Sequence, residues 1–209
     1  MLYFDKSIDG AVVDADSGEP IQGAVVVAQW QLQNIIYQGF GGYAKIIVET
    51  SDKEGKFKIP FWVSYKPWKF YASVMEFEPT IIVYKPGYKL DRSTELYRKG
   101  DPTWPVKPTM TEEEKKKIVG ELYFDVRQYS VNPVRLKRVL QDKEIWDNHL
   151  EFRSETDFSD EVFSRRQLRT ILQAVEEGAF YLPVENAKSK GQIVRDVQED
   201  RAAFIGDKR

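Results

Sequence analysis

The chain has no cysteine and a single histidine, His149, and these two shortages exclude more chemistry than any other feature of the sequence. Without cysteine there are no disulfides, thiol nucleophiles, thiolate metal sites or iron–sulfur clusters, and the composition carries no sign of redox compartment. With one histidine, multi-histidine zinc sites are excluded and a histidine-dependent catalytic scheme has only one candidate member. Charge of either sign is not in excess: 31 Lys and Arg stand against 33 Asp and Glu, a net charge of −2. There is no overall field to attract nucleic acid or an anionic membrane surface. No apolar run approaches the roughly 18 residues of a bilayer-spanning helix. The start, MLYFDKSIDG, lacks the basic residues and apolar stretch of a signal peptide. The chain is read as not membrane-spanning.

What is present is a repeated grammar of short apolar strands and specified turns between Ile8 and Tyr88. Gly10 to Val13 reads as a strand, and Ser17 to Pro20 (SGEP) supplies turn residues. Ile21 to Trp30 resumes as a strand. Its run from Ala24 to Ala28 has no polar face, the pattern of a strand packed on both sides. Residues 33–45 interrupt with three glycines and three aromatics and read as a loop insertion; Gly39, Gly41 and Gly42 fit no nucleotide fingerprint, because no helix follows them. Residues 46–61 read as a hairpin turning at SDKEG, with Phe57, Ile59 and Phe61 alternating against Lys56 and Lys58. Trp68, Phe70, Ala72 and Val74 give a further period-two face, and Thr80 to Tyr84 ends at the turn KPGY. About seven short strands at this spacing predict a sandwich.

The period changes beyond the Pro-rich stretch from Asp101 to Pro108, which divides the chain into residues 1–108 and a helical extension, 109–209. Thr111 with Glu114 forms a capping box for a helix to about Asp125. Asn132 and Pro133 fit the cap and first position of a second helix, whose buried stripe would be Leu136, Val139, Leu140, Trp146 and Leu150. A third is expected from about Ser159 to Glu177, ending at Gly178, and a short fourth from Val194 to Phe204. Helices this short need a surface to pack on, so the extension is expected to dock on the sandwich.

Taken in order, Gly10 to Asp14 (GAVVD), the G-x-P-I-x-G-A-x-V run from Gly18 to Val26, Thr50 to Phe57 (TSDKEGKF) and Lys85 to Tyr88 (KPGY) resemble the carboxypeptidase regulatory-like domain. That family is a transthyretin-like (prealbumin-like) β-sandwich found in many bacterial envelope proteins and beside metallocarboxypeptidase catalytic domains. The resemblance extends over roughly residues 8–90. It implies a non-catalytic module outside the cytoplasm, in the periplasm or on an outer-membrane lipoprotein, and no peptidase activity. The related transthyretin-like hydrolases of urate breakdown need several histidines and a C-terminal Tyr-Arg-Gly-Ser that this chain lacks. The strand pattern starts close to Met1, as it would if a leader or lipid-bearing cysteine had been trimmed; a lipid anchor on the native precursor fits that start.

Individual candidates are few. Asp14, Asp16 and Glu19, and likewise Asp52 and Glu54, lie beside glycines and read as turn formers in preference to a calcium loop, since they lack the regular EF-hand spacing. His149 reads as a surface or capping residue near a helix end, and the adjacent pair Glu176 and Glu177 diverges on a helix and makes no catalytic dyad. Trp30, Trp62 and Trp68 are expected to fill the core. Tyr37, Phe40 and Tyr43, carried by the glycine-rich insertion, are the candidate binding residues, because loops commonly carry recognition. The expectation is therefore a structural or protein-interaction module of the bacterial cell envelope with no catalysis, cofactor or metal. Its partner would be another envelope protein; the alternative is binding of carbohydrate or cell-wall glycan by the exposed aromatics.

Overall fold

In the computed structural model, residues 2–34, 40–65, 73–75, 79–92, 96–98, 129–131, 133–139, 142–155, 164–180 and 187–200 are described, and they form β-strands in open sheets with a few short helices. The strands are β1 (Leu2–Asp5), β2 (Ile8–Asp14), β3 (Val25–Asn34), β4 (Phe40–Thr50), β5 (Lys56–Ile59), β6 (Trp62–Tyr65), β7 (Ser73–Met75), β8 (Thr80–Tyr84), β9 (Leu96–Arg98), β10 (Tyr129–Val131) and β11 (Val134–Leu136). The helices are α1 (Asp142–Glu155), α2 (Arg165–Phe180) and α3 (Ala187–Asp200), none long and apolar enough to cross a membrane.

One continuous antiparallel register joins the first and second strands to the sixth and fifth. Leu2 faces Tyr65, Asp5 faces Trp62, Ile8 faces Ile59 and Ala11 faces Lys56. The ladder breaks only where Lys6 and Ser7 oppose Phe61 and Pro60, and a proline has no N–H to donate there. At this break the two strands exchange faces together. Ile8 and Val12 are buried on β2 but Tyr3 on β1; Phe57 and Ile59 are buried on β5 but Trp62 on β6. Simple alternation would bury Phe61 with Phe57 and Ile59, whereas Phe61 is 56% exposed.

The ladder of β1 with β6 is a two-stranded sheet of its own, and the sheet of β2 and β5 is completed from the far half of the chain. β10 runs parallel to the start of β2 (Tyr129 beside Ile8) and β11 parallel to its end (Val134 beside Val12, Leu136 beside Asp14), while β9 pairs antiparallel with β10. Pro133 therefore does not open a helix: it lies between two strand segments, and the helix begins at Asp142. Leu136 and Val139 are buried as expected, but from a strand and the residues after it, and Leu150 is 43% exposed. The local signal of a proline after asparagine serves equally for a helix start and a strand break; pairing with β2 decides the outcome.

β3 is the centre of the second sheet, with β4 along one side and β8 and β7 in turn along the other. Its run without a polar face is explained by burial on both sides. Val26, Ala28, Trp30 and Leu32 join Ile8, Val12, Phe57, Ile59 and Leu136 in a core shared by the two sheets, an arrangement compatible with a β-sandwich. Val25 and Val27 face the other way, into a second core with Phe152, Leu168, Ile171, Leu172, Val175 and Val197 of the helices. Each such side chain contributes about 1.5–3 kcal/mol when fully buried.

The glycine-rich stretch is not a loop over its whole length. β3 continues to Asn34 and β4 begins at Phe40, so only residues 35–39 of it lie outside the described part. Trp30 faces Lys45, Gln31 faces Tyr43 and Gln33 faces Phe40, so β4 carries one extra residue at each of two bulges. Gly42, at φ +95°, supplies the backbone conformation of the second. The first bulge changes parity: Ala44 and Ile47 both face the inter-sheet core, while Tyr43 and Ile46 face the helices.

Reciprocal hydrogen bonds fix the start of α2. The Ser164 hydroxyl accepts the Gln167 N–H (3.3 Å) and the Gln167 side chain accepts the Ser164 N–H (2.8 Å), a capping box. The Gln167 amide also donates to the Ile46 carbonyl at 3.0 Å, tying the helix to β4. Gly178 lies inside α2 and does not end it, and α3 begins earlier than Val194. Phe152 stacks on Tyr84 with ring centroids 4.2 Å apart, which seats α1 on β8. The capping box at Thr111 and the aromatics Trp68 and Phe70 lie outside the described residues.

Candidate functional site

Asp14 ends β2 as an almost fully buried acid, 2% exposed, and every contact around it is a donor. One carboxylate oxygen accepts the N–H groups of Asp16 and Ser17, both at 3.0 Å. The other accepts Arg138 Nε at 2.8 Å and the Tyr88 hydroxyl at 3.2 Å, and the guanidinium lies 5.8 Å over the Tyr88 ring. The Ser17 N–H and Arg138 hold the carboxyl well below the usual carboxylate range. A carboxylate with its lone pairs occupied and its proton affinity lowered is a poor general base, and N–H donors occupy the positions a cation would need. Its role is to join three distant points, the first turn, the KPGY turn and the segment after β11. The sequence shows Asp14 as a turn former; its partners at 88 and 138 carry no local signal.

A second polar group, half-buried, ends β1. Trp30 Nε1 donates to Asp5 at 2.5 Å, and Trp30 meets Trp62 edge-on with centroids 5.0 Å apart. Burial pushes the Asp5 carboxyl up, against the lowering effect of the Trp30 bond. Both tryptophans fill the core as expected, at 0% and 5% exposure; Trp68 lies outside the described residues.

The exposed side of this region is apolar. Phe4 and Val63 are cross-strand partners on the outer face of the β1–β6 ladder, and they are 43% and 52% exposed, with Phe61 beside them at 56%. On the neighbouring sheet, which continues the register of this ladder, Lys56, Lys58 and Arg135 are exposed around half-buried Ala11 and Val13 of β2. Among the described residues these three cations make no side-chain hydrogen bond or ion pair, and Asp9, opposite Lys58, is the acid on this face.

Of the aromatic residues selected from the glycine-rich stretch, only the Tyr43 side chain is among the described residues. Tyr43 is half-buried and packs against the helix-side core, Phe40 pairs through its backbone with Gln33, and the Phe40 side chain and all of Tyr37 lie outside the described residues. His149 lies within α1. Pattern reasoning missed the cluster of Phe4, Phe61 and Val63; Pro60, which breaks the alternation, is the signal that could have found it. Compared with models of known protein families and with curated proteins, the chain matches none.

Proposed function

We propose that this chain is a non-catalytic protein-interaction module of the bacterial cell envelope, built on a transthyretin-like β-sandwich of the carboxypeptidase regulatory-like kind with a helical extension. The observation that carries the reading is the exposed trio of Phe4, Phe61 and Val63. Two phenylalanines and a valine held in water on a two-stranded ladder are a feature of binding surfaces rather than of a surface that stays solvated. The engagement of Asp14 in four structural hydrogen bonds favours a scaffold over an acid–base site.

The test is recovery of a defined protein partner from the envelope fraction of the source organism, using the full chain as bait beside a Phe61→Ser/Val63→Ser variant whose unfolding midpoint matches the parent. Loss of one specific partner with the variant supports the module. A native location confined to the cytoplasm, or a set of captured proteins identical for the two baits, would overturn the reading. Binding of polysaccharide with quenching of tryptophan fluorescence, and no protein partner, would favour the glycan reading in its place.

A further inference from the structure

The two sheets differ in how their outer faces are used. The face of β3, β4 and β8 that points away from the shared core is covered by α1, α2 and α3, with Val25, Val27, Ile46 and Ile82 in the helix-side cluster. The corresponding face of β2, β5 and β11 carries exposed Lys56, Lys58 and Arg135. β5 and β11 flank β2 on opposite sides. Lys56 lies beside Ala11 and Lys58 beside Asp9 on one side of β2, and Arg135 lies beside Val13 on the other; with neighbouring strands roughly 4.8 Å apart, the two flanking strands are about 10 Å apart, a width that one extended segment can bridge. Beyond Lys58 the strip continues through exposed Pro60 to Phe61 and Val63.

Lysines on short edge strands commonly guard against edge-to-edge pairing, and that accounts for Lys56 and Lys58 alone. It does not account for the exposed phenylalanines next to them, which would invite the association that edge lysines prevent. Cations without partners among the described residues, beside an apolar patch, are explained together by one kind of occupant. Resting on the interaction-module reading above, we infer that the outer face of the β5–β2–β11 sheet, with Phe61 and Val63 at its end, docks an acidic segment of a partner protein that also carries apolar side chains. Among the described residues of this face, three cations against Asp9 give the charge complementarity, and Phe61 and Val63 give the apolar anchor. Complementary charge of this kind acts mainly on the rate of encounter and on partner choice.

The experiment measures fluorescence anisotropy of labelled peptides with the full chain. The probes are an alternating Glu–Leu peptide, the matching Lys–Leu and Glu–Ser peptides, and phosphatidylglycerol vesicles. Saturable binding of the Glu–Leu peptide alone is expected, weakening as salt rises through the screening range. Charge reversal (Lys56→Glu/Lys58→Glu/Arg135→Glu) and Phe61→Ser/Val63→Ser should each weaken it by about tenfold or more, with urea midpoints like the parent's as the control for folding. Failure of the parent to bind Glu–Leu, equal binding of Lys–Leu, indifference to the substitutions, or preference for vesicles would each overturn the assignment. If the peptide fails while the full chain still captures a partner insensitive to charge reversal, this face is wrong and the module reading stands. If no partner is captured either, both fall.

Discussion

Replacing Gly55 by alanine should be among the most damaging single changes to this chain, and the structure separates the loss into two parts. Gly55 closes the turn between β4 and β5 at φ +71°, a left-handed conformation that costs an L-residue about 1–2 kcal/mol. In addition, a Cβ there would lie 2.5 Å from the Val12 carbonyl oxygen and 3.1 Å from Pro20. The oxygen cannot readily move away, because it accepts the Ile21 N–H at 3.0 Å while the Val12 N–H donates to Gly55 at 2.8 Å. Relieving the clash means weakening at least one of these bonds, at about 0.5–1.5 kcal/mol each, or leaving a buried group unpaired at about 1–3. Gly18 is the control: its φ is +75°, yet nothing lies within 4 Å of the added carbon. Gly18→Ala should therefore cost only the conformational part, about 1–2 kcal/mol, and Gly55→Ala about 2–4 kcal/mol. Urea unfolding followed by tryptophan fluorescence and far-UV dichroism measures both, and the expected thermal shifts are about 2–4 °C per kcal/mol for a chain of this length. Equal losses in the two variants would refute the reasoning, since the clash with Val12 would then contribute nothing.

Phe152→Ala should cost about 3–5 kcal/mol by equilibrium unfolding, because Phe152 is fully buried against Tyr84, whereas Leu150→Ala on the exposed side of the same helix should stay within about 0.5 kcal/mol. Ser164→Ala removes the cap of α2 and should lose about 1 kcal/mol; Gln167→Ala should lose more, since it also gives up the bond to the Ile46 carbonyl, and equal losses would show that this bond adds nothing. Asp14 and Asp5 should give pH profiles of opposite sign. The lowered folded-state pKa of Asp14 makes its contribution present above the ordinary carboxylate pKa of about 4 and lost as pH falls below it, so the advantage of the parent over Asp14→Asn should shrink in acid. The raised pKa of Asp5 makes its contribution complete below about pH 4 and lost as pH rises through the folded value, so the parent should gain on Asp5→Asn as pH falls; parallel profiles would contradict both assignments.

The turns were the legible part of the sequence, because their determinants are local. SGEP, SDKEG and KPGY each hold a glycine that adopts positive φ, at Gly18, Gly55 and Gly87, and β8 spans the residues that its β-branched run marks out. Errors arose where distant pairing overrode a local pattern. Asn132 and Pro133 carry a helix-start signature, yet parallel pairing with β2 makes Val134–Leu136 a strand. Phe61 obeys the alternation of Phe57 and Ile59 until Pro60 breaks the ladder and both strands change faces. The glycines of residues 33–45 carry a loop signature in sequence, because nothing in a single strand shows that its partner will need bulges. The start of α2 has a local determinant as well: Ser164 followed three residues later by Gln167 is a capping signature in plain sequence. Of the candidate binding residues, Tyr43 alone has a described side chain, and its half-burial against the helices follows from a parity change that no periodicity reveals.

The contacts between the halves bear on how the molecule should unfold. Asp14 is bonded to Arg138, Lys89 N–H to the Lys137 carbonyl, Val139 N–H to the Gly87 carbonyl and Leu90 N–H to Asn148, while Arg92 pairs with Glu151 at 2.8 Å. The last four of these ties run between residues 87–92 and residues 137–151, so the KPGY segment is stitched to both the segment after β11 and the helix itself. Rim ion pairs such as Arg92–Glu151 contribute little alone, about 0–1 kcal/mol, but the backbone bonds on either side cannot break singly without opening the strip as a unit. Because β10 and β11 are also members of the β2 sheet, unfolding of the far half as a whole would remove strands from that sheet and expose the inter-sheet core at Val12 and Leu136. The two halves should accordingly unfold in one transition, with far-UV dichroism of the helices and fluorescence of Trp30 and Trp62 coinciding in urea. Two separated transitions would mean that the strip between Gly87 and Asn148 does not couple the halves as its hydrogen bonds require.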